Sequence, residues 1–143
     1  MKKIKKRSLC PISSALDIIG DKWSLLIVRD IAMTGKNTYG DFAASEEKIA
    51  TNILADRLTM LEETGILIKE EHPENKTKYN YYLSQKGIDL LPILLDMILW
   101  SDKYNKISQQ SKEFAAMIRQ DREAVLKQLS SNLQQQLKGK KKR

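Results

Sequence analysis

Residues 51–83 read TNILADRLTMLEETGILIKEEHPENKTKYNYYL, and this stretch decides the fold. Its pattern predicts an amphipathic helix that ends at Gly65, a strand directly after it, and a polar turn with Pro73 and Asn75 that leads into a second strand. A helix, a strand, a basic turn and a strand in this order indicate a winged helix-turn-helix. In that fold the helix enters the DNA major groove and the hairpin tip lies against the sugar-phosphate backbone. The stretch therefore favours transcriptional control over chemistry on a substrate.

The helix in this stretch, the fourth of the chain, has two faces of different character. Leu54, Leu58 and Leu61 recur at spacings of four and three residues, so they share one face and are expected to pack inward. The opposite face carries short polar side chains that can approach base edges closely: Asn52, Asp56 and Thr59, flanked by Thr51 and Ala55. Asparagine can read adenine, threonine can contact thymine, and aspartate can accept from cytosine N4. Asp56 would also repel phosphates, so it must point into the groove or be paired.

Other candidate DNA contacts lie around this helix. Arg57 lies nearer the apolar face, which leaves a structural ion pair and a phosphate contact both open. Thr38, the predicted N-cap of a short third helix, is a further candidate. The turn HPENKTK supplies Asn75, Lys76 and Lys78, which can donate to phosphate or to a narrow minor groove. An ordinary solvated turn is the alternative for these three residues, but their place after the fourth helix favours a wing.

Shorter elements are predicted on both sides of the fourth helix. The first helix begins at Pro11 and ends at Gly20, and Asp21 is the expected cap of a second helix over residues 22–33. The third helix, after Thr38, covers residues 39–46. In the hairpin, alternation places two sets of side chains on shared faces: Ile66 with Ile68, and Tyr79 with Tyr81 and Leu83.

A fifth helix is predicted over residues 85–104, with Ser84 as its cap and Pro92 expected to kink or restart it. Its interior is apolar almost all round, so it needs two partners. One partner is its own domain, and the other is the same helix of a second subunit, which gives a two-fold dimer. Such a dimer predicts an inverted-repeat operator with half-sites about one helical turn apart.

After about Ser108 the composition shifts to Gln, Ser and Lys, with apolar residues at helical spacing up to Leu137. This predicts a long amphipathic C-terminal helix that ends near Gly139 and either extends a dimer contact or folds back over the body. The chain thus divides into a basic arm at 1–9, a winged helix-turn-helix with dimerisation helices at 10–105, and a C-terminal helix with a basic tail at 106–143. The predicted class is mainly α with a β-hairpin (α+β).

Charge is concentrated at the two ends of the chain. Five basic residues lie within 2–7 and five within 138–143, and all 18 acidic residues lie between them. The body therefore carries 15 basic against 18 acidic side chains, despite the formal net charge of +7. DNA affinity of the body must come from where its charges sit. The tails either add salt-sensitive phosphate attraction or are simply solvated ends.

Several classes of protein are disfavoured by what the sequence contains. The longest nearly uncharged run, at 90–101, is too short to span a bilayer, and the basic N-terminus is not followed by an apolar signal segment. One cysteine allows no intramolecular disulfide, so a reducing cytoplasm is expected. A single histidine, His72, without a nearby cysteine predicts no transition-metal site. No nucleotide-binding glycine motif occurs, and no cofactor is expected.

Four segments together resemble a known family. They are CPISSALDIIGDKWSLLIVRDI at 10–31, TYGDF at 38–42, IATNILADRLTMLEETGIL at 49–67 and YYLSQKGIDLLPIL at 81–94, with Trp100 closing the fifth helix. In this order and spacing they resemble the HxlR-type family of bacterial winged-helix regulators, over about residues 8–105. The segments are individually modest, and their combination is specific.

The resemblance implies a homodimer on inverted-repeat DNA, held by the first and fifth helices. Its dimer contacts would then be Leu16, Ile19, Leu95, Ile98 and Leu99. It also implies recognition through the fourth helix and the wing, which maps to Thr51, Asn52, Asp56, Lys76 and Lys78. Ala50 stands where a serine is expected in the family, which puts one hydroxyl contact to DNA in doubt.

Cys10 occupies the position at which several members of the family sense quinones, aldehydes or oxidants. At a helix N-terminus, with Lys6 and Arg7 close by, the helix dipole and positive charge favour a thiolate. Alkylation, a mixed disulfide with a small thiol, or a bridge between the Cys10 residues of two subunits are the possible reactions. A small buried side chain that packs the dimer interface is the alternative.

Three rival functions are weighed against the DNA-binding regulator. An enzyme with Cys10 as nucleophile lacks a nearby base, because His72 lies far along the chain in the predicted wing, so no enzyme is expected. A winged-helix module that binds protein would not need the polar face of the fourth helix. A MarR-type regulator, with a small ligand between its domains, is the nearest winged-helix alternative.

Overall fold

The computed structural model describes residues 4–138. Within this range the chain forms eight helices and one two-stranded antiparallel sheet. The elements are α1 (Pro11–Ile19), α2 (Ser24–Thr34), α3 (Tyr39–Ala43), α4 (Thr51–Glu63), β1 (Leu67–His72), β2 (Asn75–Leu83), α5 (Gln85–Ile88), α6 (Leu91–Tyr104), α7 (Gln109–Gln120) and α8 (Arg122–Leu137). This confirms the predicted class, mainly α with a β-hairpin.

The helix starts follow from local capping chemistry. The Asp21 carboxylate accepts from the backbone N–H groups of Trp23 and Ser24, so α2 begins at Ser24, two residues later than predicted. Thr38 caps α3 as predicted, in a capping box with Asp41, but α3 ends at Ala43 and not at residue 46.

The core lies between α2, α4, the hairpin and the start of α6. As predicted, Leu54, Leu58 and Leu61 on α4 are buried. They pack in one cluster whose other members include Val28, Ile31, Phe42, Ile66, Tyr81, Leu83, Ile88 and Leu91. This packing fixes which face of α4 points outward.

The hairpin differs from the sequence prediction in its turn and its faces. The turn consists of Pro73 and Glu74 alone, because β2 already begins at Asn75. Leu67 is buried as well as its neighbours on either side, since the base of the hairpin is covered on both faces. Tyr79, which alternation placed with the buried residues, is 39% exposed, and the ammonium group of Lys69 lies 4.1 Å from its ring centroid.

The predicted fifth helix is divided in two, as the prediction of a restart at Pro92 indicates. Ser84 caps the short helix α5, and α6 begins at Leu91 with the proline in its first turn. Gly87 on α5 makes close packing possible, because a Cβ there would lie 2.5 Å from the carbonyl oxygen of Ile66.

The prediction of one long C-terminal helix is wrong, since Asp121 divides it into α7 and α8. Its backbone leaves the helical region (φ −157°, ψ 84°), and its carboxylate caps α8 through the N–H of Ala124. Of the two alternatives, the structure has the segment folding back: Leu133 is buried in the core cluster. The predicted helix end near Gly139 and most of the C-terminal tail lie outside the described residues, as do Lys2 and Lys3 of the N-terminal arm.

Candidate nucleic-acid interface

The outward face of α4 carries the polar residues that the sequence assigned to it. Thr51, Asn52, Ala55, Asp56 and Thr59 are all exposed, while the opposite face is buried. The face is therefore made mostly of short side chains, with the larger Ile53, 37% exposed, next to Asn52. Short polar side chains of this kind suit the approach to base edges in the major groove.

The first turn of α4 rests on α3. The hydroxyl group of Tyr39 donates to the carbonyl oxygen of Thr51 at 3.1 Å. Ala50 is the N-cap residue, and no side chain of the described residues caps the helix. The first backbone N–H groups of α4 therefore have no side-chain cap, and such groups at a helix N-terminus can bind a phosphate.

An ion-pair cluster fixes the turn between α3 and α4. Arg29 donates to Glu47 at 2.7 and 2.9 Å and also to Asp30, which is buried and accepts from the hydroxyl of Ser45. The hydrogen bond from Arg29 lowers the pKa of Glu47 to about 2. Donating to Glu47 in turn raises the pKa of Arg29 above its ordinary value, although burial opposes the shift. Arg29 and Glu47 are therefore both charged near neutral pH, and their ion pair holds the turn to α2.

Lys48 adopts a left-handed backbone conformation (φ 56°) within this turn. Its N–H donates to the carbonyl oxygen of Ser45 at 3.0 Å, and its side chain is exposed next to the start of α4. Left-handed backbone is uncommon outside glycine, which indicates that the surrounding contacts determine the turn. The sequence analysis missed this residue, because lysine carries no signal for such a conformation.

Arg57 is in two ion pairs, which is one of the alternatives that the sequence left open. Its Nη2 donates to Asp56 Oδ2 at 2.7 Å, and its Nη1 lies 3.4 Å from Asp21 Oδ1. The hydrogen bond to Asp56 raises the pKa of Arg57, with burial opposing it. A phosphate contact by Arg57 stays a prediction.

The candidate wing residues lie on the exposed end of the hairpin. Asn75, Lys76 and Lys78 are exposed, but they belong to β2 and not to a loop, and their role as phosphate donors stays a prediction. The Asn75 side chain accepts from both the N–H and the hydroxyl of Thr77, so its carboxamide oxygen is held by the strand. Thr38 is half-buried, and its hydroxyl oxygen caps α3 by accepting from Asp41.

The residues predicted for dimerisation divide into accessible and inaccessible ones. Leu16 is 52% exposed, and Ile98 and Leu99 are half-buried. The prediction for Ile19 and Leu95 needs correction, because both are buried within the chain and Leu95 is 0% exposed. Ile19 packs in the core cluster, and Leu95 lies on α6, against which α7 and α8 pack.

A different set of α6 residues is exposed. Ile93, Met97, Trp100 and Tyr104 recur at spacings of four, three and four, so they form one stripe, which we call the α6 ridge. Trp100 is 60% exposed and its ring lies 5.3 Å from that of Tyr104. Leu9, which precedes α1, is exposed, and so is Ile12 in the first turn of α1, four residues before the accessible Leu16.

Cys10 is exposed at the start of α1. Its backbone N–H donates to the hydroxyl of Ser8 at 3.2 Å, and its carbonyl oxygen accepts from Ser14. Arg7, one of the two predicted basic neighbours, is turned onto α1, where its Nε donates to Asp17 at 2.6 Å. Within the single chain the thiol is therefore accessible, and packing of Cys10 against a second subunit stays the alternative.

Membrane spans and metal sites are two other kinds of feature to consider in the described residues. Within residues 4–138 there is no helix of the length and apolar character needed to cross a membrane. The same range holds no group of three or more His, Cys, Asp or Glu side chains arranged to bind a metal ion.

The fold and this interface define a winged helix-turn-helix protein of the DNA-binding class. The family model of HxlR-like helix-turn-helix proteins matches residues 18–109. The chain belongs to the HxlR-like helix-turn-helix family, a family of DNA-binding transcriptional regulators. This match favours that family over the MarR-type alternative.

Individual relatives agree with the family match. YdeP of Bacillus subtilis (strain 168), named an uncharacterized HTH-type transcriptional regulator, is 33% identical over 95 residues, which cover 66% of this chain and 73% of YdeP. YodB of the same organism, an HTH-type transcriptional regulator, is 30% identical over 98 residues, covering 68% of this chain and 87% of YodB.

Two solved structures have the same fold. The reduced form of YodB matches with a TM-score of 0.55 and 28% identity, covering 68% of this chain and 95% of that chain. The redox regulator HypR in its oxidized form matches with a TM-score of 0.60 and 29% identity, covering 68% of this chain and 100% of that chain.

Proposed function

We propose that this regulator binds an inverted-repeat operator as a homodimer, reading bases with α4 and contacting the backbone with the wing. The observation that carries the proposal is the outward face of α4, where short polar side chains lie exposed above three buried leucines. Thr51, Asn52 and Asp56 are the proposed base contacts. Lys76 and Lys78, with Asn75, are the proposed backbone contacts of the wing, and Thr38, the N-cap residue of α3, is a further candidate contact.

The α6 ridge and the exposed side of α1 support the homodimer. A stripe of four large apolar side chains on one helix is costly to leave in water, and a two-fold axis lets the same stripe cover itself. Among the residues that the sequence predicts for dimerisation, Leu16 on α1 is exposed, and Ile98 and Leu99 are half-buried. The proposed interface therefore uses these residues together with the ridge.

A thiol switch at Cys10 is the second part of the proposal. The support is its exposure at the N-terminus of α1, the helix that would lie at the dimer interface. A quinone or an aldehyde can alkylate the Cys10 thiol. Because the chain has one cysteine, an oxidant can join Cys10 in a disulfide only to a small thiol or to the Cys10 of a second subunit. Each product adds bulk or a covalent constraint at that interface.

The test is selection of genomic fragments by the purified protein at stated salt, with and without a quinone or aldehyde. We expect an inverted repeat to be enriched without the electrophile and lost with it, and Cys10→Ser protein to keep the same repeat under both conditions. A repeat that survives complete modification of the thiol would remove Cys10 from the mechanism. No enriched motif under either condition would contradict the proposal as a whole and favour the protein-binding module.

A further inference from the structure

The guanidinium group of Arg57 lies between carboxylates of two different elements. Asp56, its neighbour in sequence, lies on the outward face of α4, and Asp21 lies before the start of α2. The exposed fractions of the three side chains are 52% for Asp56, 24% for Arg57 and 26% for Asp21. The cluster thus extends from the surface that faces DNA into the partly buried space between α4 and α2.

Asp21 is the fixed end of this cluster. One of its carboxylate oxygens accepts from the N–H groups of Trp23 and Ser24 at 3.0 and 2.9 Å, and the other accepts from the hydroxyl of Ser24 at 2.6 Å. Burial raises the pKa of Asp21, but these hydrogen bonds and the charge of Arg57 outweigh it, and the pKa lies below its ordinary value. Asp21 is therefore an anion that cannot turn away from Arg57 without breaking the cap of α2.

DNA phosphates would act in opposite ways on the two neighbouring charged side chains of α4, Arg57 and Asp56, if Arg57 were not held in place. An arginine on a helix that faces DNA is attracted to the nearest phosphate, and an aspartate there is repelled by it. Asp56 at 2.7 Å and Asp21 at 3.4 Å hold the guanidinium from two sides, so the protein's own carboxylates compete with a phosphate for it. Asp56 then approaches the DNA as an acceptor oriented by Arg57, with its charge partly offset, although one cation and two carboxylates leave the cluster a net charge of −1.

We infer that Arg57, held from behind by Asp21, is a positioning residue that orients the Asp56 carboxylate for base recognition. The inference rests on the proposed role of α4 in reading bases. Arg57 itself contacts neither a base nor a phosphate in this arrangement. Its effect is on discrimination at the base pair opposite Asp56, where a carboxylate favours a cytosine N4 donor.

The experiment compares four substitutions in the full chain. Asp21→Asn removes the charge but keeps an acceptor for the cap of α2. Arg57→Lys keeps the charge but cannot hold two carboxylates with one planar fork. Asp56→Ala removes the proposed base contact. Arg119→Gln is the matched control, since it breaks an ion pair with Asp102 that joins α7 to α6, at 2.6 Å.

Binding is measured on the selected operator and on each single-base-pair variant of the half-site, at two salt concentrations. We expect Asp21→Asn and Arg57→Lys to reduce discrimination about five- to tenfold at one base pair, the same one at which Asp56→Ala acts. The salt dependence should stay as in the wild type, and Arg119→Gln should change neither property. Thermal unfolding of each variant checks that the fold is retained. We expect it to be retained in Asp21→Asn and Arg57→Lys, because these substitutions are conservative.

Three results would overturn the inference and leave the proposed function standing. Arg57→Lys and Asp21→Asn could leave every base preference unchanged, which would limit the cluster to a structural role. Arg57→Gln, added as a charge-removing variant, could lower the salt slope by about one unit, which would make Arg57 a phosphate contact. Asp56→Ala could leave the preferences unchanged, which would remove the base contact that Arg57 positions. A wild-type protein that selects no motif would overturn the proposed function and this inference together.

Discussion

Helices α4 and α6 have the same design on their inner sides and opposite designs on their outer sides. Both bury leucines in the body of the protein: Leu54, Leu58 and Leu61 on α4, and Leu91, Leu94 and Leu95 on α6. The outer side of α4 presents small polar groups. The outer side of α6 presents the α6 ridge, with Trp100 60% exposed and Met97 50% exposed.

The difference separates the two kinds of partner. Short polar side chains bury little apolar area, so their value lies in hydrogen bonds to base edges. Large apolar side chains gain little from a polyanion and much from another apolar surface. A face of each kind on one small body is what a regulator needs if protein partners and DNA are to bind at separate places.

The largest expected effect distinguishes the two sides of α4. Leu54→Ala should destabilise the protein by about 2–5 kcal/mol, because it removes buried methyl groups and leaves a cavity in the core. Asn52→Ala, on the exposed side of the same helix, is the matched control and should change the free energy of unfolding by less than about 0.5 kcal/mol. Denaturant unfolding of both proteins measures this. A similar loss in the free energy of unfolding for both proteins would mean that the outward face of α4 also stabilises the fold.

The next effect tests the outer side of α6. Trp100→Glu should weaken dimerisation by about 2 kcal/mol or more, because it places a charge at the centre of the apolar contact. The folded monomer should persist, since the side chain is mostly exposed within the chain. Met117→Glu on α7 is the control, as Met117 is 56% exposed but lies outside the proposed interface. Sedimentation measures both, and an unchanged dissociation constant for Trp100→Glu would contradict the proposed interface.

A smaller effect distinguishes α4 from the wing. Asn52→Ala should cost about 1–3 kcal/mol on the operator and relax the base preference at one position, whereas Lys76→Ala should weaken all sequences alike and lower the salt slope by about one unit. Titration of specific and unrelated duplexes at several salt concentrations separates the two. An equal loss on every sequence for both substitutions would contradict these separate roles.

Much of the fold was predictable because its signals are local. The leucine spacing of α4, the caps at Thr38 and Ser84 and the proline at the restart of α6 are read within a few residues of the sequence. Where the prediction was wrong, distant contacts decide the outcome. The alternation of side chains along the strands alone could not show that Leu67 is buried, or that Tyr79 is exposed.

The residues of the site were predictable from the sequence, but the contacts that hold them in place were not. The exposed face of α4 follows from helical periodicity, and the exposure of Lys76 and Lys78 agrees with their assignment to the wing. The pairs Arg29–Glu47 and Arg57–Asp21 join residues far apart in sequence, for which a single sequence carries no signal. The burial of Ile19 and Leu95 likewise depends on tertiary packing, which periodicity on one helix does not specify.

The smallest expected effect concerns the turn between α3 and α4, which the ion pair between Arg29 and Glu47 holds to α2. The pKa of Glu47 is about 2 in the folded chain, below its ordinary value of 4.5. A lowered pKa means that the ion pair with Arg29 stabilises the fold fully above about pH 4.5, and that this contribution is lost as the pH falls toward 2. The gain is modest because the Glu47 side chain is 39% exposed. Hydrogen exchange between pH 5 and 3 should therefore show faster opening at the start of α4 than in the middle of α6, after correction for intrinsic rates. Arg29→Gln should remove this pH dependence at the start of α4, and if the wild type and this variant responded alike, the ion pair would not be what holds the turn.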